Sequence, residues 1–280
     1  MIKCVIYTWR GEAELISVIM GIYNEQKQNA GKAINSILNQ TERNIEFIIC
    51  DDGSDKEFFN WLQNFCSKDN RIILLRNKQN LGLSATLNKC LSYAHGEYIA
   101  RMDGDDISDK RRLEKQLQFL DSHPEYSLTG CNVKFIDSKG IWGERTLPKI
   151  PKKKDFLYTS PFVHPSIMIR KNIMDELGGY SEEPHAVRTE DYELFMRLYA
   201  KGYKGCNLQE FLFYYREDKG AYKKRKYCYR FNESRVRYKG FRELGILRGN
   251  LHFVVKPLIV GLVPIRIIKK VRKRKFEHRE

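Results

Sequence analysis

Residues 97–106 read EYIARMDGDD, an apolar run that stops abruptly in three carboxylates within four positions. A short run with apolar residues on both faces reads as a buried strand. Asp103, Gly104, Asp105 and Asp106 then stand at its carboxyl end. Upstream, ISVIMGIY (16–23), IEFIIC (45–50) and RIILL (71–75) read as three earlier strands. The segments between them carry helical spacing: Ala33, Ile34, Ile37 and Leu38; then Phe58, Phe59, Leu62, Phe65 and Cys66; then Leu87, Cys90, Leu91 and Ala94. Strands alternating with helices imply right-handed crossovers and an α/β fold with a mostly parallel sheet flanked by helices. Such sheets bind ligands beyond the carboxyl ends of their strands. The segments at those ends are Tyr23-Asn24-Glu25, Asp51-Asp52-Gly53-Ser54, Arg76-Asn77-Lys78 and the Asp103–Asp106 stretch, so one rim collects acidic and amide groups.

Downstream the pattern is less regular. Leu113, Leu117 and Leu120 mark a helix ending near His123-Pro124, SIMIR (166–170) reads as a strand, and Gly178-Gly179 as a turn. Thr189 is expected to cap a helix through DYELFMRLYAKG that stops at Gly202. Beyond about 220 the chain is strongly basic and without strand character.

The chain has 280 residues, 30% of them charged and 42% hydrophobic, with a net charge of +15. The balance is globular, and the charge implies an anionic partner. The seven cysteines show no C-x-x-C and no paired spacing, which speaks against a zinc site or a disulfide framework and for a reducing compartment. The first fifteen residues, too briefly apolar for a signal peptide, form a leader with no assigned role.

Three carboxylates crowded at a strand end repel one another unless a cation sits among them. A hard divalent ion with bound phosphates relieves that repulsion, and Gly104 would let backbone and ligand approach. A polar turn capping the next helix accounts for the tetrapeptide equally well. An EF-hand does not, because Ser108 stands where its glycine belongs. Asp51-Asp52-Gly53-Ser54 is by itself a turn. A P-loop and a G-x-G-x-x-G after the first strand are both absent, which removes Walker-type ATPases and NAD enzymes.

Taken together, ISVIMGIYNE, SILNQTERNIEFIICDDGSDK and NLGLSATLNKCLSYAHGEYIARMDGDD resemble glycosyltransferase family 2, and the likeness continues through HPSIMIRK, GGYSEE and TEDYELFMRLYAKGY, roughly residues 15 to 216. The resemblance implies a GT-A fold and an inverting transfer from a nucleotide-diphosphate sugar, most often a UDP-sugar, with Mn2+ or Mg2+ as cofactor. It places Tyr23 and Glu25 against the nucleoside, Asp52 on the base, Asp103 on the ribose or sugar, Asp105 on the metal, Asp106 beside the donor sugar, and Asp191 of the Glu190-Asp191 pair as general base. Without it, Glu190-Asp191 would read as acids stabilising a helix N-terminus. His164 reads either as an acceptor or pyrophosphate contact or, preferably, as a hydrogen-bonded loop residue. One departure stands out: Ser84–Asn88 carries no base until Lys89, so the phosphate contact common in the family from that helix is not supplied.

Residues 223–242 interleave Arg and Lys with Tyr and Phe, a mixture suited to single-stranded nucleic acid, to a solvated helix or to anionic headgroups. LHFVVKPLIVGLVPIRIIKKVRKRK (251–275) follows, an apolar stretch ending in a polybasic cluster, which reads as interfacial membrane attachment. The expectation is a catalytic domain over 1–220 and a basic, helical membrane-association region over 221–280. The enzyme would sit on the cytoplasmic face of the cell membrane. It would serve a saccharide or polyprenyl-diphosphate-linked acceptor in surface polysaccharide biosynthesis, without nucleic acid. The alternatives are an inactive transferase and a nucleic-acid-binding protein on a nucleotide-binding scaffold.

Overall fold

A computed structural model describes residues 14–217 and 227–277. Most of the leader, and the Lys223–Lys226 start of the basic stretch, lie outside the described residues.

The first half alternates as its periodicity requires: β1 (Ile16–Ile22), α1 (Lys27–Leu38), β2 (Ile45–Asp51), α2 (Lys56–Cys66), β3 (Ile72–Arg76), α3 (Leu83–Leu91) and β4 (Tyr98–Arg101). These strands pair in parallel in the order β3-β2-β1-β4. Ile16, Val18, Met20, Phe47 and Ile49 pack with Ala30, Ile34 and Ile37 of α1 in one core layer. Ile19, Ile48 and Cys50 face Leu87 and Cys90 of α3 in the other. Buried on both faces, β1, β2 and β4 lack polar alternation, as parallel strands do, while the edge strand β3 is half-buried.

The second half comprises β5 (Ile107–Ser108), α4 (Arg112–Ser122), β6 (Leu128–Asp137), β7 (Gly140–Arg145), β8 (Met168–Arg170), α5 (Lys171–Glu176), α6 (Glu190–Ala200) and β9 (Gly205–Arg216). It continues the sheet as β4-β8-β6-β9-β5, with β7 on β6. Here the directions mix: β8 is antiparallel to β4 and β6, while β6 and β9 run parallel. The sheet is thus mostly parallel, as expected: its first four strands are parallel throughout, and the mixed directions begin beyond β4. Thr189 stands at the start of α6 but does not cap it; its hydroxyl donates to the Ala186 carbonyl. The turn at Gly178-Gly179 has positive φ at both residues, 73° and 71°.

The basic C-terminal part is helical: α7 (Cys228–Glu243), α8 (Leu251–Gly261) and α9 (Ile265–Phe276). The α7 helix is more than a solvated face, because Val236, Arg237, Gly240 and Phe241 are buried and Met196 of α6 lies against Gly240. The Arg237 guanidinium bonds the Leu157 carbonyl and pairs with Glu233. Among the described residues no single helix is long and apolar enough to cross a membrane, and α8 and α9 meet at a bend of 115°. The α9 helix returns to the sheet. Phe276 packs on Phe135, its carbonyl lies over Gly143, and Arg272 pairs with Glu217 at 2.8 Å.

Candidate active site

The rim forms where β1, β2 and β3 end level, at Ile22, Asp51 and Arg76, with β4 stopping earlier, opposite Ile19. Past β1 and β2, Asp52 N–H donates to the Ile22 carbonyl, Asn24 N–H to Ser54 Oγ, and Asp55 N–H to Asn24 Oδ1, so the two loops brace each other. Gly53 sits at φ 76°, and a Cβ there would meet the Gln79 backbone at 2.5 Å, so only glycine lets the loops close. Tyr23 is half exposed above this floor, and Glu25 accepts from the Gln26 N–H.

Asp52 is buried, and both its oxygens are engaged. It accepts from Asn77 Nδ2 and from the backbone N–H groups of Leu81 and Gly82, each at 2.9 Å. Its first job is thus to fold the 77–82 loop under the rim; remaining lone pairs still allow a further bond. Lys89, the first base on α3, is spent on the Arg76 carbonyl and Asn77.

At the end of β4, carboxylate oxygens of Asp103, Asp105 and Asp106 lie within 4.8 Å of one another. A Cβ at Gly104 would stand 3.0 Å from the Ile22 side chain, so the glycine also serves close packing against β1. Arg216, at the end of β9, holds the cluster from behind, its N–H on Asp106 Oδ1 at 2.6 Å and its Nε on the Asp105 carbonyl at 2.8 Å. Burial, then Asp103 and Glu25, pushes the Asp105 carboxyl up to about 7. Burial and the neighbouring acids raise Asp106 well above the ordinary carboxylate range. Asp106 Oδ2 is buried without a hydrogen-bond partner. An orphaned oxygen among mutually repelling hard donors fits a divalent cation, with Asp103, Asp105 and Asp106 as the residues to hold it.

Glu190 and Asp191 open α6. Burial, then Glu190, pushes Asp191 up to about 7, and burial also raises Glu190. His164 is enclosed, with Nε2 2.9 Å from the Tyr180 hydroxyl, and burial followed by Arg101 drives its pKa well below the ordinary value. It is an interior group at the start of a short 3-10 helix, His164–Ser166.

Several polar groups around the rim were not anticipated from sequence. Arg101 is 1% exposed, and its Nη1 lies 2.6 Å from Asp103 Oδ2. Arg216 clamps the acids. Arg145 of β7, whose pKa burial and then Arg272 lower to about 10, also lies within the field of Asp191. Arg101 alone had a readable signal, a charge inside an otherwise apolar strand, which must find a partner when buried.

Comparison with known proteins agrees with this architecture. The sequence pattern of glycosyl transferase family 2 matches residues 17–178. EpsE of Bacillus subtilis (strain 168), named for a glycosyltransferase, is 38% identical over 261 residues, 93% of this chain and 94% of its own. WfaP of Escherichia coli, named as a UDP-Glc:alpha-D-GlcNAc-diphosphoundecaprenol beta-1,3-glucosyltransferase, is 29% identical over 226 residues, 80% of this chain and 85% of its own. Residues 1–349 of S. aureus TarS in complex with UDP-GlcNAc superpose with a TM-score of 0.67 at 18% identity, covering 90% of this chain and 76% of that one. The mannosyltransferase PcManGT of Pyrobaculum calidifontis, in complex with GDP-Man and Mn2+, superposes at 0.62 with 15% identity, covering 93% and 79%. At those identities the structures speak for the GT-A fold alone, whereas the sequence matches go further: the chain belongs to glycosyltransferase family 2.

Proposed function

We propose that the chain is an inverting, divalent-metal-dependent transferase. It moves a hexosyl or N-acetylhexosaminyl group from a UDP-sugar to a saccharide or polyprenyl-diphosphate-linked acceptor in surface polysaccharide biosynthesis. The observation that carries the reading is the Asp103–Asp105–Asp106 cluster with its orphaned oxygen, on the same rim of the sheet as the loops expected to take a nucleotide.

In this reading Tyr23 covers the nucleoside, and Glu25 and Asp52 border it. Asp105 would anchor the metal with Asp103 and Asp106 completing its seat, and these two would also face the ribose and the donor sugar. A divalent cation bound there supplies Lewis-acid neutralisation of the departing diphosphate. Asp191 accepts the proton of the attacking acceptor hydroxyl. A carboxyl pushed up to about 7 is a better base than an ordinary one and remains largely ionised just above neutrality. One displacement from the opposite face inverts the anomeric carbon and needs no enzyme nucleophile. His164, enclosed with Nε2 2.9 Å from the Tyr180 hydroxyl, takes no part in the transfer in this reading.

The names of relatives support the substrate classes: WfaP is named for a diphosphoundecaprenol-linked acceptor and a UDP-sugar, and TarS carries UDP-GlcNAc. Attachment to the cytoplasmic face of the membrane through residues 221–280, and chiefly through α8 and α9, rests on composition. Ile259, Leu262, Ile267 and Val271 are exposed beside Arg266, Lys270, Lys273, Arg274 and Lys275.

A thermal-shift panel of UDP-, GDP- and dTDP-sugars with manganese, magnesium or chelator tests the reading. The largest stabilisation is expected from a UDP-sugar with metal. Stabilisation by no nucleotide-sugar under any metal condition overturns it, and a product retaining the donor's anomeric configuration by NMR overturns the inverting step.

A further inference from the structure

The helix α7 spans most of the basic, aromatic stretch of the sequence, and the proposed transfer gives it no part. Asn232, Val236 and Gly240 stand four apart on one of its faces, so they meet a neighbour together. That neighbour is the segment that carries Glu190 and Asp191. Val236 and Phe241 join Tyr192, Phe195 and Met196 of α6 in one core cluster, and a Cβ at Gly240 would collide with Met196, so glycine sets the closeness of the two helices.

These apolar contacts dock the helix by themselves, yet two polar side chains of α7 also grip the acidic segment, one on each side of Asp191. Upstream, Asn232 Nδ2 donates to the Pro184 carbonyl at 3.2 Å and to the Val187 carbonyl at 3.4 Å. Carbonyls only accept, so it is the amide nitrogen that faces them. Downstream, the Arg237 guanidinium lies 5.1 Å from the centroid of the Tyr192 ring, and its Nη1 bonds the Leu157 carbonyl at 3.0 Å. The Tyr192 hydroxyl donates to the Phe156 carbonyl next to it.

Between the two grips the backbone is strained. Arg188 has φ 68°, a conformation that a non-glycine residue keeps only where its surroundings impose it. The Val187 carbonyl belongs to the peptide plane that ends in the Arg188 nitrogen, so a bond on that oxygen fixes the plane from which φ of Arg188 turns. Thr189 N–H then returns to the Ala186 carbonyl at 2.8 Å, and α6 starts at once. The direction in which α6 leaves, and with it the place of Asp191, follows from that turn. A half-exposed hydrogen bond adds little stability, because water would serve the two carbonyls as well. What Asn232 adds is direction.

We propose that α7 is a splint for the catalytic base, with Asn232 as a positioning residue that sets the Val187–Thr189 turn and so holds Asp191 where the acceptor hydroxyl arrives. This rests on the reading of Asp191 as general base. It also carries the catalytic unit past residue 220, to the end of α7 at Glu243.

The experiment is a double-mutant cycle in the full chain: Asn232→Ala, Asn232→Asp and Asp191→Asn, alone and combined. Turnover is read as UDP released from UDP-glucose or UDP-N-acetylglucosamine with manganese and with water as acceptor, and UDP affinity by calorimetry. Asn232→Ala should lower kcat about ten- to a hundredfold, the scale of a small misplacement of a reacting group, with UDP affinity and melting temperature close to those of the parent. Asn232→Asp keeps the shape but has no amide hydrogens to donate, so it should fall at least as far; a parental rate in it overturns the proposal. With the base already removed its placement no longer matters, so adding Asn232→Ala to Asp191→Asn should lower the residual rate no further. A merely structural role would cost the same factor in both backgrounds, and that result overturns the proposal. Should Asn232→Ala not fold, the aspartate variant decides by the same cycle. If Asp191→Asn alone keeps the parental rate, the reading of the base fails and takes this inference with it. If Asp191→Asn loses turnover while the Asn232 variants keep it, only the inference about α7 fails.

Discussion

The acidic rim and the basic C-terminal arm carry opposite charge and hold it in opposite ways. On the rim, Asp105, Asp106 and Asp191 are recessed among neighbours that raise their proton affinity, and Asp52, Asp103 and Asp106 each have a fixed partner. On α9 the described lysines and arginines stand mostly in solvent, and Lys273, for example, pairs with Glu277 one turn on. Charge in a recess is expensive and tolerable only for work that needs a fixed field. Charge on an arm costs little and acts by accumulation and reach. Single substitutions should therefore be decisive on the rim and incremental on the arm.

The largest effect is expected at the base. Asp191→Asn should cut turnover by ~10²–10⁴-fold with donor affinity nearly unchanged. Steady-state kinetics beside calorimetric donor binding would show it, and an equal loss of donor affinity would make Asp191 structural. In the parent, turnover should rise with pH through about 7, because the base works only when deprotonated.

Asp105→Ala should make nucleotide binding insensitive to manganese and abolish metal-dependent activity. The same position offers a sharper contrast in stability. A carboxyl whose folded pKa is raised from 3.8 to about 7 stabilises the fold while protonated and loses that contribution as pH rises through 7. Asp105→Asn should therefore melt higher than the parent in chelator above neutrality, with the gain shrinking as pH falls. A parent that melts higher at every pH would mean the acid is stabilising after all.

A smaller effect is expected from Gly104→Ala, whose methyl would press on Ile22, costing about 1–3 kcal/mol as overpacking does. Denaturant melts measure it, and no loss would mean that β1 yields easily. On the arm, removing everything after Gly249 is a poor test, because it also strips Phe276 from Phe135 and Arg272 from Glu217. Replacing exposed Leu262 by Asp leaves those contacts alone and should weaken sedimentation with anionic vesicles. Lys273→Ala should cost only about 1 kcal/mol of vesicle binding, and less as salt rises. A single lysine that abolished binding would place a specific lipid site where this comparison sees a diffuse one.

The first four strands were legible because each apolar run is short, bounded and followed by a helical period, and because the acids stand where strands stop. The β6–β9 half was not. The β6 strand, LTGCNVKFID, buries Thr129 and Asn132 and so lacks an apolar signature, while β9, GCNLQEFLFYYR, runs through the exposed Gln209-Glu210 step where its register on β6 shifts. The carboxylates of the rim could be read from the family resemblance; of the arginines that hold them, Arg101 alone left a local signal. Arg216 reaches Asp105 and Asp106 only because β9 folds back beside β6, a fact of tertiary pairing with no local trace.

That clasp also sets an order in time. Asp106 and Arg216 are 110 positions apart, and β5 meets β9 at Ile107↔Tyr214. The ribosome delivers the four-stranded parallel portion long before Arg216 emerges, and long-range strand pairings are slow to close. A nascent chain could thus shape its nucleotide-side loops while the acidic cluster still lacks its backing. Competence to hold a cation would be among the last properties acquired during synthesis, which spares the unfinished protein a premature ligand.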